Sequence, residues 1–335
     1  MTIFLGLLWL LTGFVSGNEE RGDVPASPDS TVVMLFAGDL VLSNHVERYV
    51  GERYSYVFEK WQSMGDHDLF MVNLEHPITT AEVKVEKQFN FKLHPRYVET
   101  LRLAGIDIVN AANNHIADYG LRGLLETIQH LDSVGIRCVG IGRNLQEARK
   151  PVVLKIKGVR VGFLGYHGGG RFAATRSAPG IAPRSLPIVQ SDVEQLRPTV
   201  DYLVVNFHWG TELAESPSSD QVSFARAVVE AGADLVVGHH PHVLQGIERY
   251  RGSYIAYSLG NFVFGGKKVS TYATAILRAT VSRTNAKVEL VPVTVEQWQP
   301  RRATGPARDA VLSLVHRRSL QFPEFPELTE GTHHE

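Results

Sequence analysis

The sequence predicts an α/β protein, and three observations carry that prediction. Near-continuous apolar, β-branched runs of strand length recur, among them "TVVMLFA" at 31–37, "DLFMV" at 68–72, "IDIVNAA" at 106–112, "DYLVVNF" at 201–207 and "DLVV" at 234–237. Such runs suit strands buried on both faces of a sheet. Helical patterns lie between them, and polar residues able to bind a metal follow each run at once. Strand–helix alternation places ligands at the carboxyl ends of the strands, so these sequence-distant polar groups are expected to converge on one edge.

The elements follow in order. "PRYVETLRLAG" at 95–105 and "YGLRGLLETIQHLDSVG" at 119–135 read as helices, the second with Leu121, Leu124, Leu125, Ile128 and Leu131 on one face. "SSDQVSFARAVVEAG" at 218–232 opens on a Ser/Asp cap and closes at Gly232. Gly38, Gly210, Gly238 and Gly260 fall where a strand must turn sharply, or where backbone must approach a metal or substrate closely. After Gly266 the pattern changes: "TYATAILRATVS" and "AKVELVPVTVEQ" alternate like an antiparallel hairpin, and "PARDAVLSLVHRRSL" reads as a helix. Residues 31–282 are expected to form the main domain, with 283–335 supplying a strand, helix and tail that complete it.

The chain of 335 residues, 44% hydrophobic and 21% charged, can bury a sizeable core as one large domain or two medium ones. Its 34 basic and 35 acidic residues show no excess to neutralise a nucleic-acid backbone, and nucleic acid is not an expected partner. Ile3–Val15 is an uncharged stretch of 13 residues, shorter than a membrane-spanning helix, and "VSG" gives small residues for cleavage after Gly17. Residues 1–17 therefore read as a signal peptide or, uncleaved, a short anchor, and 18–30 as a polar linker. The folded part is expected outside the cytoplasm. Cys138 is the only cysteine, which excludes an internal disulfide and a thiolate metal cluster. It reads as a small buried hydrophobe, and His333 and His334 as solvated tail.

"DLVVGHHPHVLQG" at 234–246 places three histidines within 239–242 directly after a buried strand. Taken with the other strand ends, the convergent set is Asp39, Glu75, Asn114, His208, His240 and His242. Carboxylate, amide oxygen and imidazole donors without thiolate suit Mn, Zn, Fe or Mg, and two divalent ions about 3.5–4 Å apart would use such a set. Each element alone is weak: Gly-Asp is a common turn, a histidine after a strand is often only a satisfied polar group, and Asn113–His115 can cap a helix starting near Asp118. Together these plain readings require coincidences at several equivalent strand ends.

"AGD", "NLE", "ANNHIADYG", "HWGTE", "GHHPHVLQGIE" and "YSLGNFVF", in this order over 31–266, resemble the CapA family of capsule and poly-γ-glutamate synthesis proteins. The order is also similar to that of the calcineurin-like metallophosphoesterases. The resemblance implies a metallophosphoesterase-like four-layer αββα sandwich and a divalent-metal hydrolase of phosphoester or amide bonds. It places Asp39 in the first motif, Glu75 as bridging carboxylate, Asn114 and His115 as the Asn-His pair, His208 in the fourth motif, and His240 with His242 in the last. Two departures stand out: Val41 occupies the place of the first-motif histidine, and Glu75 replaces an aspartate. His115 is then a candidate general acid or an orienting group, and Glu212 a base or a support for His208. Asn261 and Arg171, the latter in "HGGGR" at 167–171, are candidate substrate-binding residues. The expected partners are a polyanionic polymer such as poly-γ-glutamate, or a small phosphoester. The alternative is a non-enzymatic, metal-stabilised subunit that binds polymer or scaffolds a membrane synthase.

Overall fold

The computed structural model describes residues 30–168, 170–266 and 272–327. The apolar N-terminal segment, most of the linker and the terminal histidines lie outside the described residues.

Two sheets form the centre. The larger runs in the order Gln299–Arg302, Ala286–Glu296, Tyr272–Val281, Val32–Val41, Leu69–Leu74, Ile108–Asn110 and Arg137–Val139, with Asn261–Phe264 also pairing parallel to the end of Val32–Val41. The smaller runs Ile247–Tyr250, Ser253–Ala256, Leu235–His239, Tyr202–His208, Val159–His167 and Val152–Ile156. The strands carrying the polar motifs pair parallel with one another in each sheet. The expected hairpin after Gly266 is present as the antiparallel pair 272–281 and 286–296.

Side-chain alternation explains the layering. Val32, Met34 and Phe36 of one sheet, and Val204, Leu235 and Val237 of the other, face inward into a shared core. The intervening Leu35 packs outward with Val46, Val50 and Leu101 of the helices at 45–50 and 98–103. Leu203, Val205 and Val236 pack outward on the other side against Val189 and Val193 of helix 186–196 and Ala225 and Val228 of helix 219–230. The result is helix, sheet, sheet, helix, the four-layer αββα sandwich expected.

The 219–230 helix begins at Ser218 with a full capping box to Gln221, in agreement with the Ser/Asp start signal. Helix 305–319 inserts Val311 and Val315 into the core between the sheets, and its Ser319 hydroxyl accepts from the Ile247 amide at 2.9 Å. No helix among the described residues is long and apolar enough to cross a membrane.

Candidate metal centre

The inward parity that builds the core also builds the site. At the carboxyl edge of the larger sheet, Asp39, Asn73 and Asn110 lie in register on adjacent strands. His167, His208 and His239 do the same across the smaller sheet. The rows continue the inward-facing positions of Met71 and Ile108 and of Phe163, Val204 and Val237, whereas Asp39, three residues after inward-facing Phe36, joins them through a register shift between the two. Rigid strands thus bring carboxylate, amide and imidazole groups face to face where the two sheets end.

Asp39 is fully buried, and its Oδ1 accepts from Asn73 Nδ2 at 2.8 Å. Its Oδ2 lies 3.0 Å from His242 Nδ1 and accepts from the His240 amide at 3.3 Å. Asn73 is fixed in turn by Asn110 Nδ2 at 2.9 Å. The key group is Glu75, fully buried with neither carboxylate oxygen accepting a hydrogen bond. Around its Oε1 stand His208 Nε2 at 3.4 Å and His242 Nε2 at 3.8 Å. His208 Nε2 also lies 2.7 Å from Asn114 Oδ1. Donor atoms of Glu75, His208 and His240 lie within 4.8 Å of one another, as do those of Asp39, Glu75 and His242, so Glu75 is common to both groups.

Electrostatics follow from burial and these neighbours. Burial, then the Asp39 charge, holds the Glu75 carboxyl well above the ordinary range. Burial would also raise Asp39, but the hydrogen bond and charge of His242 bring it below its usual value. Burial alone would depress His242; Glu75, Asp39 and Asn261 instead lift it to about 10. His208 is held well below the usual imidazole range by burial and by His240, and burial also lowers His240.

His240 and His242 take left-handed backbone, with φ of 98° and 59°. Neither is glycine, and such conformations persist where surrounding structure enforces them. The turn aims both imidazoles back over the strand ends. A buried carboxylate whose oxygens have no donor, flanked by the neutral imidazoles of His208 and His240 and by an amide oxygen, is a set of lone pairs converging on one place. That donor set fits a divalent cation, and Asp39, Glu75, Asn114, His208, His240 and His242 are all brought together there.

The remaining candidates divide. Glu212 stands at the exposed rim, with its carboxylate within 4.8 Å of donor atoms of His240 and His242. Asn261 Oδ1 pairs with His242 Nδ1 at 2.9 Å. His115 Nδ1 meets Asp118 Oδ2 at 2.8 Å, and burial lowers its pKa. Arg171 is exposed, its guanidinium 4.8 Å from the Phe172 ring, and it has no contact with the histidine group among the described residues. Asn113 does not cap the helix that follows; its Oδ1 accepts from the His115 amide and its Nδ2 donates to the Leu74 carbonyl.

Several contributors are not among the residues expected from the sequence. His167 and His239 complete the imidazole row, His167 Nδ1 reaching the His208 carbonyl at 2.8 Å. Asn73 and Asn110 form the amide row. Strand parity is the available signal, because each lies two residues beyond an inward-facing position. Lys87, which ion-pairs with Asp118 and donates to the Asn114 carbonyl at 3.0 Å, has none.

Residues 33–266 match the family described as "Bacterial capsule synthesis protein PGA_cap". The PGA biosynthesis protein CapA of Bacillus subtilis (strain 168) is 30% identical over 296 residues, covering 85% of this chain and 77% of that one. The capsule biosynthesis protein CapA of Bacillus anthracis is 30% identical over 314 residues, covering 90% and 76%. A hypothetical protein from Thermus thermophilus superimposes with a TM-score of 0.50 at 16% identity, covering 78% of this chain and 99% of that one. A 5'-nucleotidase precursor from the same organism reaches 0.49 at 14% identity, covering 86% and 59%. The Thermus thermophilus hypothetical protein shares the fold, and the chain belongs to the bacterial capsule synthesis (PGA_cap, CapA) family.

Proposed function

We propose that this is an extracytoplasmic, metal-dependent hydrolase of capsule or poly-γ-glutamate metabolism, cleaving a phosphoester or amide bond. The observation that carries the proposal is Glu75: a buried carboxylate shared by two groups of metal-binding donors, with both oxygens lacking a hydrogen-bond donor. Asp39, Glu75, Asn114, His208, His240 and His242 would hold one or two ions of Mn, Zn, Fe or Mg. A bound divalent ion supplies Lewis-acid polarisation of the scissile phosphoryl or carbonyl oxygen. His115 lines the cleft together with Glu212, His242 and Asn261. Asp118, itself ion-paired to Lys87, fixes the ring by holding Nδ1. An anion in the cleft favours the imidazolium, which can then hand its Nε2 proton to a leaving group. Glu212, at the rim, would take up a proton from water.

Metal analysis coupled to turnover of poly-γ-glutamate and of a generic phosphodiester tests this reading. Bound metal with turnover of either substrate is expected. In His115→Ala, turnover should fall by about 10²–10⁴-fold with metal content unchanged; loss of metal instead would make His115 a ligand. Full metal content without any turnover would favour the polymer-binding or synthase-scaffold role.

A further inference from the structure

The cleft that opens onto the candidate metal centre has a volume of about 280 Å³, and its apolar walls are Phe89, Phe91, Leu213 and Phe264. The inner rings lie against the site: Phe91 is 4.5 Å from the His115 ring and Phe264 is 5.1 Å from that of His242. At the mouth, Phe89 and Leu213 are 61% and 63% exposed, unusual for side chains of this size. Leu213 is held there in left-handed backbone, φ 61°, by its amide donating to the Pro241 carbonyl at 2.8 Å. Pro241 sits between His240 and His242, so one turn positions two candidate ligands and the apolar rim together.

Charge decides what the cleft accepts. Among the described lining residues Glu212 is the only carboxylate, and there is no lysine or arginine. The polar partners, His115, His242 and Asn261, lie at the metal-centre end; toward the mouth, Phe89 and Leu213 offer a free carboxylate no partner and Glu212 would repel it, which makes its desolvation there costly. An apolar group instead gains from leaving water against the same walls. We infer that the centre acts on a substrate whose scissile phosphoester or amide carries a directly attached apolar group. That group sits between Phe89 and Leu213, and any polyanionic part of the substrate lies outside the cleft. The inference deepens the hydrolase reading and rests on its metal centre.

The test is binding rather than turnover. Phenylphosphonate and methylphosphonate share one head group and differ only in the apolar part. On the Mn-loaded full chain, phenylphosphonate is expected to bind about ten- to a hundredfold more tightly. The double variant Phe89→Ser with Leu213→Asn should lose that preference and keep its methylphosphonate affinity; asparagine tolerates the left-handed backbone at 213. Equal affinity of the two phosphonates in the wild type would overturn the inference. On chelated protein, the fluorescence of 1-anilinonaphthalene-8-sulfonate reads the apolar cleft without metal. A strong wild-type signal that the double variant loses supports the cleft, even if neither phosphonate binds and the metal reading falls. Identical signals in wild type and variant overturn it.

Discussion

Gly238→Ala is expected to cost about 3 kcal/mol of stability or more, among the largest effects of any single methyl group added to this chain. A Cβ at Gly238 would lie 2.0 Å from the Tyr257 carbonyl oxygen and 2.6 Å from Trp209 Nε1. The first is backbone, so no rotamer change relieves it. Trp209 is itself stacked on Phe207 with centroids 4.7 Å apart and donates to that same carbonyl at 3.1 Å. The strand would have to move immediately before His239 and His240. Gly38 is the counterpart in the larger sheet: its Cβ would lie 1.9 Å from the Gly260 oxygen, the acceptor of the Asp39 amide. At these two positions backbone approaches backbone, and the expected close approach to metal or substrate is not the reason for the glycine. Gly210 and Gly260, with φ of 88° and 62°, do make the expected sharp turns. Denaturant midpoints measure the effect, with Gly168→Ala as control because a Cβ there meets nothing within 4 Å. A wild-type midpoint for Gly238→Ala would show that the strands can separate freely and that the site edge is not rigid.

The contrast between the two polar rows and the 240–242 turn explains what can be read from sequence. Strands buried on both faces announce themselves as apolar runs, and a metal-binding residue at the end of such a run has its position fixed by the strand before it. His208 is legible for that reason; Asp39 is legible as a strand end, but its inward aim comes from the register shift after Phe36. Which residue faces inward is a parity question: Asn206 and His208 continue the series of Tyr202 and Val204, just as His239 continues Leu235 and Val237. His240 and His242 defy that parity, because positive-φ backbone, not strand geometry, aims them. Their proximity to one another is visible in the sequence, but the strained turn is not. Lys87 lies in an irregular stretch between the Leu69–Leu74 strand and the next helix, reaching a partner 28 positions away. No periodicity encodes such a contact. Arg171 is a different case: its glycine-rich setting suggests an anion cradle, and in the structure its guanidinium packs on its own neighbour Phe172.

Chelation is expected to lower the melting temperature, and Mn or Zn to restore it by on the order of 5 °C at a hundredfold excess over the dissociation constant. That ratio corresponds to about 2.7 kcal/mol of preferential binding to the native state, spread over a large domain. His240→Ala with His242→Ala should abolish most of the recovery, since the two candidate donor groups lose one imidazole each. The gap between loaded and chelated protein should also widen from pH 7 to about pH 9. Glu75 is raised in the fold, so its favourable contribution is present below its ordinary pKa and is lost as pH rises through the folded value. His242, raised to about 10, behaves alike: its contribution is full below 6.5 and disappears as pH climbs toward 10. His208 and His240 are depressed, and their contribution is lost only on acidification. Above neutrality, therefore, His242 sets the sign, and the metal-free protein weakens as pH rises. Metal binding displaces those protons and strengthens over the same range. Glu75→Gln separates the two effects, because the neutral amide removes the repulsion from Asp39 and also the bridging charge. This variant should melt at or above the chelated wild type and gain little from added metal. A melting temperature indifferent to chelator at both pH values, in protein purified without chelators and found free of metal, would leave the buried carboxylate and its histidines without a cation to explain them.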